Sequence, residues 1–372
     1  MAGGSPPSSA LPLPLFCGKK PSTSCPADAS LQQTFRLLFY TVKKEKFLQI
    51  PIRSRRLRRT EGIRRLFSET RVTPSRLVAP LFVIEGNGKP ESISSLPGHF
   101  RFPIPTLIRE AQRLARRGIG GIAIFPCIAQ RLRTPTAREA LNPKGLIVRA
   151  IRRIKKELPG LPVFADVALD PYTSHGHDGL LNRSGRDVDN DSTVPLLMKQ
   201  ATLLANAGAD FVAPSDMMDG RIGYIRQALD QAGYSDTGIL SYAAKFASAL
   251  YGPFRDAVGS AQTAGTHSLD KRGYQADPAN RNAILRDALL DETEGADLLM
   301  VKPAGLYLDI LRDLRENTRL PLAAYQVSGE YAQIYAAAQK GWVDLKKARD
   351  ESLLSIHRAG ADIIFTYFAK DL

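Results

Sequence analysis

Residues 295–303 read Gly-Ala-Asp-Leu-Leu-Met-Val-Lys-Pro, GADLLMVKP. Leu298, Leu299, Met300 and Val301 form a short apolar run with a turn signal on either side, the pattern of a strand buried on both faces. Lys302 stands at its end. An ammonium withdrawn from water costs several kcal/mol (roughly) unless it is paired. A lysine placed there is therefore solvent-facing, salt-bridged, or kept partly neutral for chemistry.

Working outward from this stretch, strand-like runs alternate with helix-period segments from Leu77 to the C-terminus. Strands are expected at 77–83, 121–125, 162–167, 210–213, 238–242, 298–301, 320–327 and 362–366. Helices are expected at 106–117, 145–158, 194–207, 220–232, 279–292, 306–316 and 344–359, and Gly118, Gly160, Gly208 and Gly360 stand where several of them should stop. Eight alternating units without a glycine-rich phosphate loop favour an α/β fold of the (β/α)8 TIM-barrel type over a doubly wound sheet.

In such a barrel the reactive groups gather at the C-terminal ends of the strands. Those ends carry Asp166, Asp170, Ser215, Asp216, Lys245, Lys302, Ser328 and Tyr367. Lys245 and Lys302 fall on neighbouring strands, and one cation beside another favours the neutral amine, the nucleophile that forms a Schiff base with a carbonyl. Two independently salt-bridged lysines are the plainer reading of the same pair. The segment DVALDPYTSHGHDG (166–179) packs Asp, His, Tyr and Ser into one loop. It reads as a metal site, a proton-transfer loop or simply a hydrogen-bonded turn. A long connection at 251–275, with no strong strand or helix pattern, holds Arg255 and Lys271, cations suited to a carboxylate if it is a lid.

Charge and composition narrow the classes further. The formal net charge is +14, but residues 1–76 hold 15 Lys/Arg against 4 Asp/Glu, leaving 36 against 33 for the remainder. The basic character belongs to the N-terminal part, so nucleic-acid binding by the body is disfavoured. Cys17, Cys25 and Cys127 cannot build a disulfide framework and lack zinc-knuckle spacing. No apolar run approaches the ~20 residues that a membrane span requires. Residues 1–46, rich in Ser, Pro and Ala and then basic, look like a leader. It is either a plastid-type transit peptide or a translated upstream region of a bacterial gene. An arm at 47–76 and a catalytic barrel at 77–372 follow.

Five blocks in order, DVALDPYTSHGHDG (166–179), APSDMMDGR (213–221), SYAAKFASALYGPFRDA (241–257), MVKP (300–303) and YQVSGEY (325–331), resemble the porphobilinogen synthase (delta-aminolevulinic acid dehydratase) family. The resemblance runs from about residue 50 to the C-terminus. It implies a lyase on a TIM barrel that condenses two 5-aminolevulinate molecules into porphobilinogen, with loss of two waters, in tetrapyrrole biosynthesis. By the same resemblance Lys302 is the Schiff-base lysine, Lys245 holds the other substrate, and Asp166 is the acid near the substrate amine. Arg255 and Lys271 would clamp one substrate carboxylate with Gln275 alongside, Ser328 and Tyr367 would bind the other, and Ser215 would line the substrate site.

Zinc-dependent members carry three cysteines where this chain has Ala168, Asp170 and Asp178. Carboxylates suit magnesium or no tightly held metal, so no catalytic zinc is expected. Asp287 stands at the position of the glutamate that holds an allosteric magnesium, with Asp170 and Asp178 as further metal candidates. The RRLRR arm is expected to pack on neighbouring subunits of a homo-octamer, with neither nucleic acid nor membrane as partner. The compartment would be bacterial cytoplasm, or plastid stroma if the leader is a transit peptide. Two other readings remain: a class I aldolase-type barrel, which needs one lysine and no pair of carboxylate clamps, and a non-catalytic scaffold, which leaves both lysines unexplained.

Overall fold

The computed structural model describes residues 50–259 and 271–372, so the leader and part of the 251–275 connection lie outside the described residues. The described residues divide into two units, one ending at Phe67 and the other beginning at Ser68. In the first, a single 3-10 turn (Ser54–Arg58) precedes α1 (Glu61–Leu66), whose N-terminus is capped by Thr60 accepting from the Ile63 N–H at 3.3 Å.

The second unit is a closed parallel barrel. Its staves are β1 (Leu77–Ile84), β4 (Gly121–Pro126), β5 (Val163–Val167), β6 (Phe211–Pro214), β7 (Gly238–Lys245), β8 (Leu298–Lys302), β9 (Leu322–Gln326) and β10 (Ile363–Thr366). Each pairs with the next in the sequence, and β10 pairs with β1 through Leu77↔Ile364 and Val78↔Phe365, which closes the ring. All eight expected strands are present. The barrel staves are almost wholly buried because the sheet is covered on one side by helices and filled on the other by side chains.

The outer layer is α2 (Ile104–Arg116), α3 (Leu146–Glu157), α4 (Asn190–Asn206), α5 (Arg221–Gln231), α6 (Gly252–Ala257), α7 (Asn282–Thr293), α8 (Leu308–Asn317), α9 (Ser328–Gln339) and α10 (Leu345–Ala359). In α2 and α3 the buried residues recur at helical spacing, Leu107, Ala111 and Leu114 in one, Ile147, Ile151 and Ile154 in the other. Gly118, Gly208 and Gly360 follow their helices with positive φ, as the stop signals require, but Gly160 has no positive φ. The helix before it ends at Glu157 and the chain turns through Leu158 instead.

The structure corrects one further expectation and adds two features that none covered. The 251–275 connection is not structureless, since α6 opens it with Pro253 in its first turn. A two-strand extension, β2 (Glu91–Ser92) and β3 (Phe100–Pro103), joins the barrel through β1. It carries no periodic signal because both strands are short and partly exposed. Finally α9 begins directly at Ser328 and fills a stretch for which no element was expected.

Candidate active site

Lys245 and Lys302 are the last residues of β7 and β8, and they are register partners in the parallel pair. Residues paired in register share a face, so both amines enter the same mouth. Each side chain is buried, with 7 % of its surface exposed. Lys302 ends among rings: its Nζ lies 4.6 Å from the centroid of Tyr325, 4.8 Å from Tyr242, 5.3 Å from Tyr251 and 5.4 Å from Phe254. Aromatic faces favour an ammonium by only about 0.5–2 kcal/mol. Burial, reinforced by the Lys245 charge, outweighs them and brings the Lys302 amine down to about 7. At neutral pH it is therefore neutral about half the time.

Lys245 is held differently. Its Nζ donates to the backbone carbonyl of Ser215 and lies 3.4 Å from Asp178 Oδ2. Asp178 is almost fully buried, and burial alone would raise its carboxyl. Lys245 and Lys271 together overcome this and hold it below the ordinary carboxylate range. Asp166, on the inner face of β5, goes the other way. Burial and then the nearby Asp170 raise it to about 7, against a hydrogen bond from the Ser215 side chain and the charges of Lys302 and Lys245. Its Oδ1 has no hydrogen-bond partner among the described residues. A carboxyl that exchanges its proton near neutrality thus sits in the same mouth as an amine that does the same.

The remaining residues named from the sequence fall around this centre. Lys271 Nζ lies 2.6 Å from Asp178 Oδ1 and 3.7 Å from Asp170 Oδ2. Burial opposes its charge, but the two carboxylates prevail and raise it. Gln275 directs its Nε2 to Asp178 Oδ2 at 3.4 Å, and its buried Oε1 has no partner among the described residues. Arg255 lies half-buried on α6, close enough for its charge to act on Lys271. Ser328 Oγ accepts the Phe254 N–H at 3.0 Å, and the Tyr367 hydroxyl lies 3.4 Å from that of Tyr325. Asp287 is elsewhere: it is on α7, its side chain 44 % exposed and 3.3 Å from Arg286.

Some parts of the site left no sequence motif of their own. Glu330, in the first turn of α9, accepts from the N–H groups of Val327 at 2.6 Å, Gly305 at 2.6 Å and Ala304 at 3.4 Å. One carboxylate thereby ties the end of β9 to the loop that follows Lys302. Gly329 sets the approach beside it, since a Cβ there would lie 2.5 Å from the Leu250 carbonyl oxygen. Only glycine lets the start of α9 close on the segment preceding α6. The aromatic surround of Lys302 was equally hidden, because Tyr242, Tyr251, Phe254 and Tyr325 come from three separate regions of sequence. The alternation of β7 places Tyr242 inward, but the sequence does not identify what it faces.

Of the three positions read against zinc, Ala168 is a buried alanine, and Asp170 and Asp178 turn their carboxylates to Lys271 and Lys245. This donor set does not fit zinc: one position has no ligand atom and the others are already engaged by ammonium groups. Among the described residues no group of three or more His, Cys, Asp or Glu could hold a metal ion. Asp287 lines a cavity of about 320 Å³ with Asp187, Asp219 and Asn190.

Comparison with known proteins identifies the family. The family model for delta-aminolevulinic acid dehydratase matches residues 51–372. The delta-aminolevulinic acid dehydratase of Chlamydia pneumoniae is 51% identical over 322 residues, which cover 87% of this chain and 95% of that protein. The Escherichia coli enzyme of the same name is 49% identical over 86% of this chain and 96% of its own length. The chloroplastic form from Physcomitrium patens is 51% identical over 87% of this chain and 73% of its own. The crystal structure of the Toxoplasma gondii enzyme, in complex with the reaction product porphobilinogen, superposes with a TM-score of 0.85 at 46% identity, covering 87% of this chain and 91% of that one. With a matching barrel and a match spanning nearly all of its described residues, this chain belongs to the delta-aminolevulinic acid dehydratase family.

Proposed function

We propose that this protein is a porphobilinogen synthase, a hydro-lyase that joins two molecules of 5-aminolevulinate with loss of two waters in tetrapyrrole biosynthesis. The observation that carries the reading is the register-paired Lys245 and Lys302, one of them an amine poised near neutrality. Each substrate offers a ketone for a lysine, an amine for a carboxylate and a carboxylate for cations and hydroxyls.

Neutral Lys302 attacks the ketone carbon of one substrate, and protonation of the carbinolamine oxygen releases water and leaves a Schiff base. Asp166 is the proton donor and acceptor for this step, because a carboxyl raised to about 7 can give and recover a proton at neutral pH. Lys245 captures the second ketone in the same way once its proton has left, with the Ser215 carbonyl and Asp178 orienting the amine. Loss of a proton from the carbon beside one imine gives an enamine that attacks the imine carbon of the other substrate. Elimination with a second proton loss frees the lysine from that carbon. Attack of the second substrate's amine on the first imine carbon expels the other lysine, and a last proton loss leaves the pyrrole. The two waters lost at imine formation are then the net waters of the reaction. Ser215 positions Asp166; Arg255, Lys271 and Gln275 receive one substrate carboxylate, with Lys271 drawn from its contact with Asp178, and Ser328 and Tyr367 receive the other.

Magnesium is proposed as an allosteric ion at Asp287, held largely through waters, and no catalytic zinc is assigned. Homo-octameric assembly through the arm is proposed on its separate, basic and amphipathic character; Ile52, Leu57, Leu66 and Phe67 are exposed within that unit. Among the described residues no helix is long and apolar enough to cross a membrane. A bacterial cytoplasmic or a plastid location is proposed, and mass spectrometry of the N-terminus from native cells separates them by cleavage before about residue 47.

Incubation with 5-aminolevulinate tests the reading. Formation of a pyrrole together with a borohydride-trapped adduct at Lys302 is expected. An adduct without pyrrole would assign an aldolase-type barrel instead, and the absence of both would overturn the proposal.

A further inference from the structure

Strand β7 contains an irregularity that decides where Lys245 points. Leu240 and Ser241 pair with Leu298 and Leu299 of β8, and Ala244 and Lys245 pair with Val301 and Lys302. Between these pairs Tyr242 and Ala243 stand opposite Met300 alone. One extra residue on a strand is a bulge, and it reverses the face of everything beyond it. Tyr242 faces the mouth, with its ring beside Lys302. Without the bulge Lys245, three residues later, would face the helix layer.

The residue at the head of the bulge is fastened from outside. Ser241 is fully buried, and its Oγ donates to Asp291 Oδ2 at 2.5 Å. Arg221, the first residue of α5, spans the same carboxylate with both terminal nitrogens at 3.1 Å and donates to Ser241 Oγ at 3.2 Å. It also reaches the Met218 carbonyl at 3.3 Å, and its Nε lies 3.5 Å from Asp216 Oδ1. Asp216 in turn accepts the Met218 N–H at 2.8 Å and follows Ser215, whose carbonyl receives Lys245 Nζ. A fixed planar guanidinium therefore holds both the backbone that aims Lys245 and the loop that supplies its acceptor.

We infer that Arg221, acting through Asp291 and Ser241, is the positioning residue for Lys245: it locks the β7 bulge in place so that the second amine shares the mouth with Lys302. Among the described residues none of these three side chains contacts Lys302, so the clamp acts on the first amine only through Lys245. The inference builds on the proposed role of Lys245, yet its test does not depend on turnover.

Trace labelling of the full-length protein with acetic anhydride reads the accessibility of each lysine independently of catalysis. Arg221→Met/Asp291→Leu replaces the buried pair by apolar groups of similar size, a change that buried ion pairs often tolerate. Ser241→Ala removes one hydroxyl and no charge. Labelling of Lys245 relative to the exposed Lys346 on α10 is expected to fall about tenfold in the double variant and about threefold in Ser241→Ala, as Lys245 turns toward the helix layer. An unchanged ratio in Ser241→Ala overturns the inference, whether or not the double variant folds. Wild-type protein that makes no pyrrole would overturn the functional reading instead, and the labelling ratios would still decide this one.

Discussion

Replacing Lys245 by methionine should move the titration of Lys302. The lowering of Lys302 comes first from burial and second from the Lys245 charge. Register partners on adjacent parallel strands have backbones ~4.8 Å apart, which places the two nitrogens on the order of 6 Å from one another. At that distance two unit charges at an effective dielectric of about 20 repel by about 3 kcal/mol, equivalent to a shift of about 2 pH units. Removing Lys245 also leaves Asp178 less well compensated, which acts in the same direction. The fraction of neutral Lys302 at pH 7 should then fall from about one half to about one hundredth. The assay is borohydride trapping with a 4-oxo carboxylic acid that lacks the substrate amine, so only imine formation at Lys302 is read. The trapping rate should fall about fiftyfold at pH 7 and return toward the wild-type rate near pH 10, where Lys302 is largely neutral in either protein. A variant midpoint still near pH 7 would refute the claim that the second lysine depresses the first.

Other outcomes follow from the same geometry. The lowered Lys302 means that between pH 7 and its unfolded value the unfolded chain binds more protons, so stability rises with pH across that window. Asp166, raised to about 7, contributes stability that is full below pH 4 and lost as pH rises toward 7. A shallow stability minimum near pH 7 is expected, and Lys302→Met should raise the melting temperature there by several degrees while abolishing turnover; an unchanged or lower value would contradict the account of its burial. Gly329→Ala should displace the 250 segment and lower kcat/KM at least tenfold with little change in Lys302 trapping, and wild-type kinetics would show that the approach at Leu250 is not required. A strong zinc chelator should leave activity largely intact, and loss restored only by zinc would overturn the reading of Ala168, Asp170 and Asp178. Added magnesium should raise the melting temperature of the wild type but not of Asp287→Ala, and an equal effect on both would remove Asp287 as the site.

Much of the barrel was legible because its signals are local. A run such as Leu298–Val301 has to be a buried strand wherever it is placed, and the alternation of such runs with helix-period segments leaves few topologies open. Lys302 was legible for the same reason, since it directly follows its run, whereas the strand expected at 238–242 stopped three residues short of Lys245, which β7 in fact includes. What the sequence hid depends on neighbours that are distant in the chain. The four rings about Lys302, the three N–H groups gathered by Glu330 and the clamp of Arg221 on Ser241 join residues up to 70 positions apart. The 251–275 connection was misread for a different reason: α6 has only six residues, too few to show a period.

The sequence by itself determined that this chain is a (β/α)8 barrel with two lysines at adjacent strand ends, because strand order and strand-end position follow from the order of apolar runs. Its motifs were also enough to point to the family. The tertiary structure alone decided which of the two amines is held near neutrality and which is engaged by a carboxylate. Those states depend on burial and on charges brought close by folding, and the face presented by Lys245 depends on a single extra residue in β7 that no periodicity reveals.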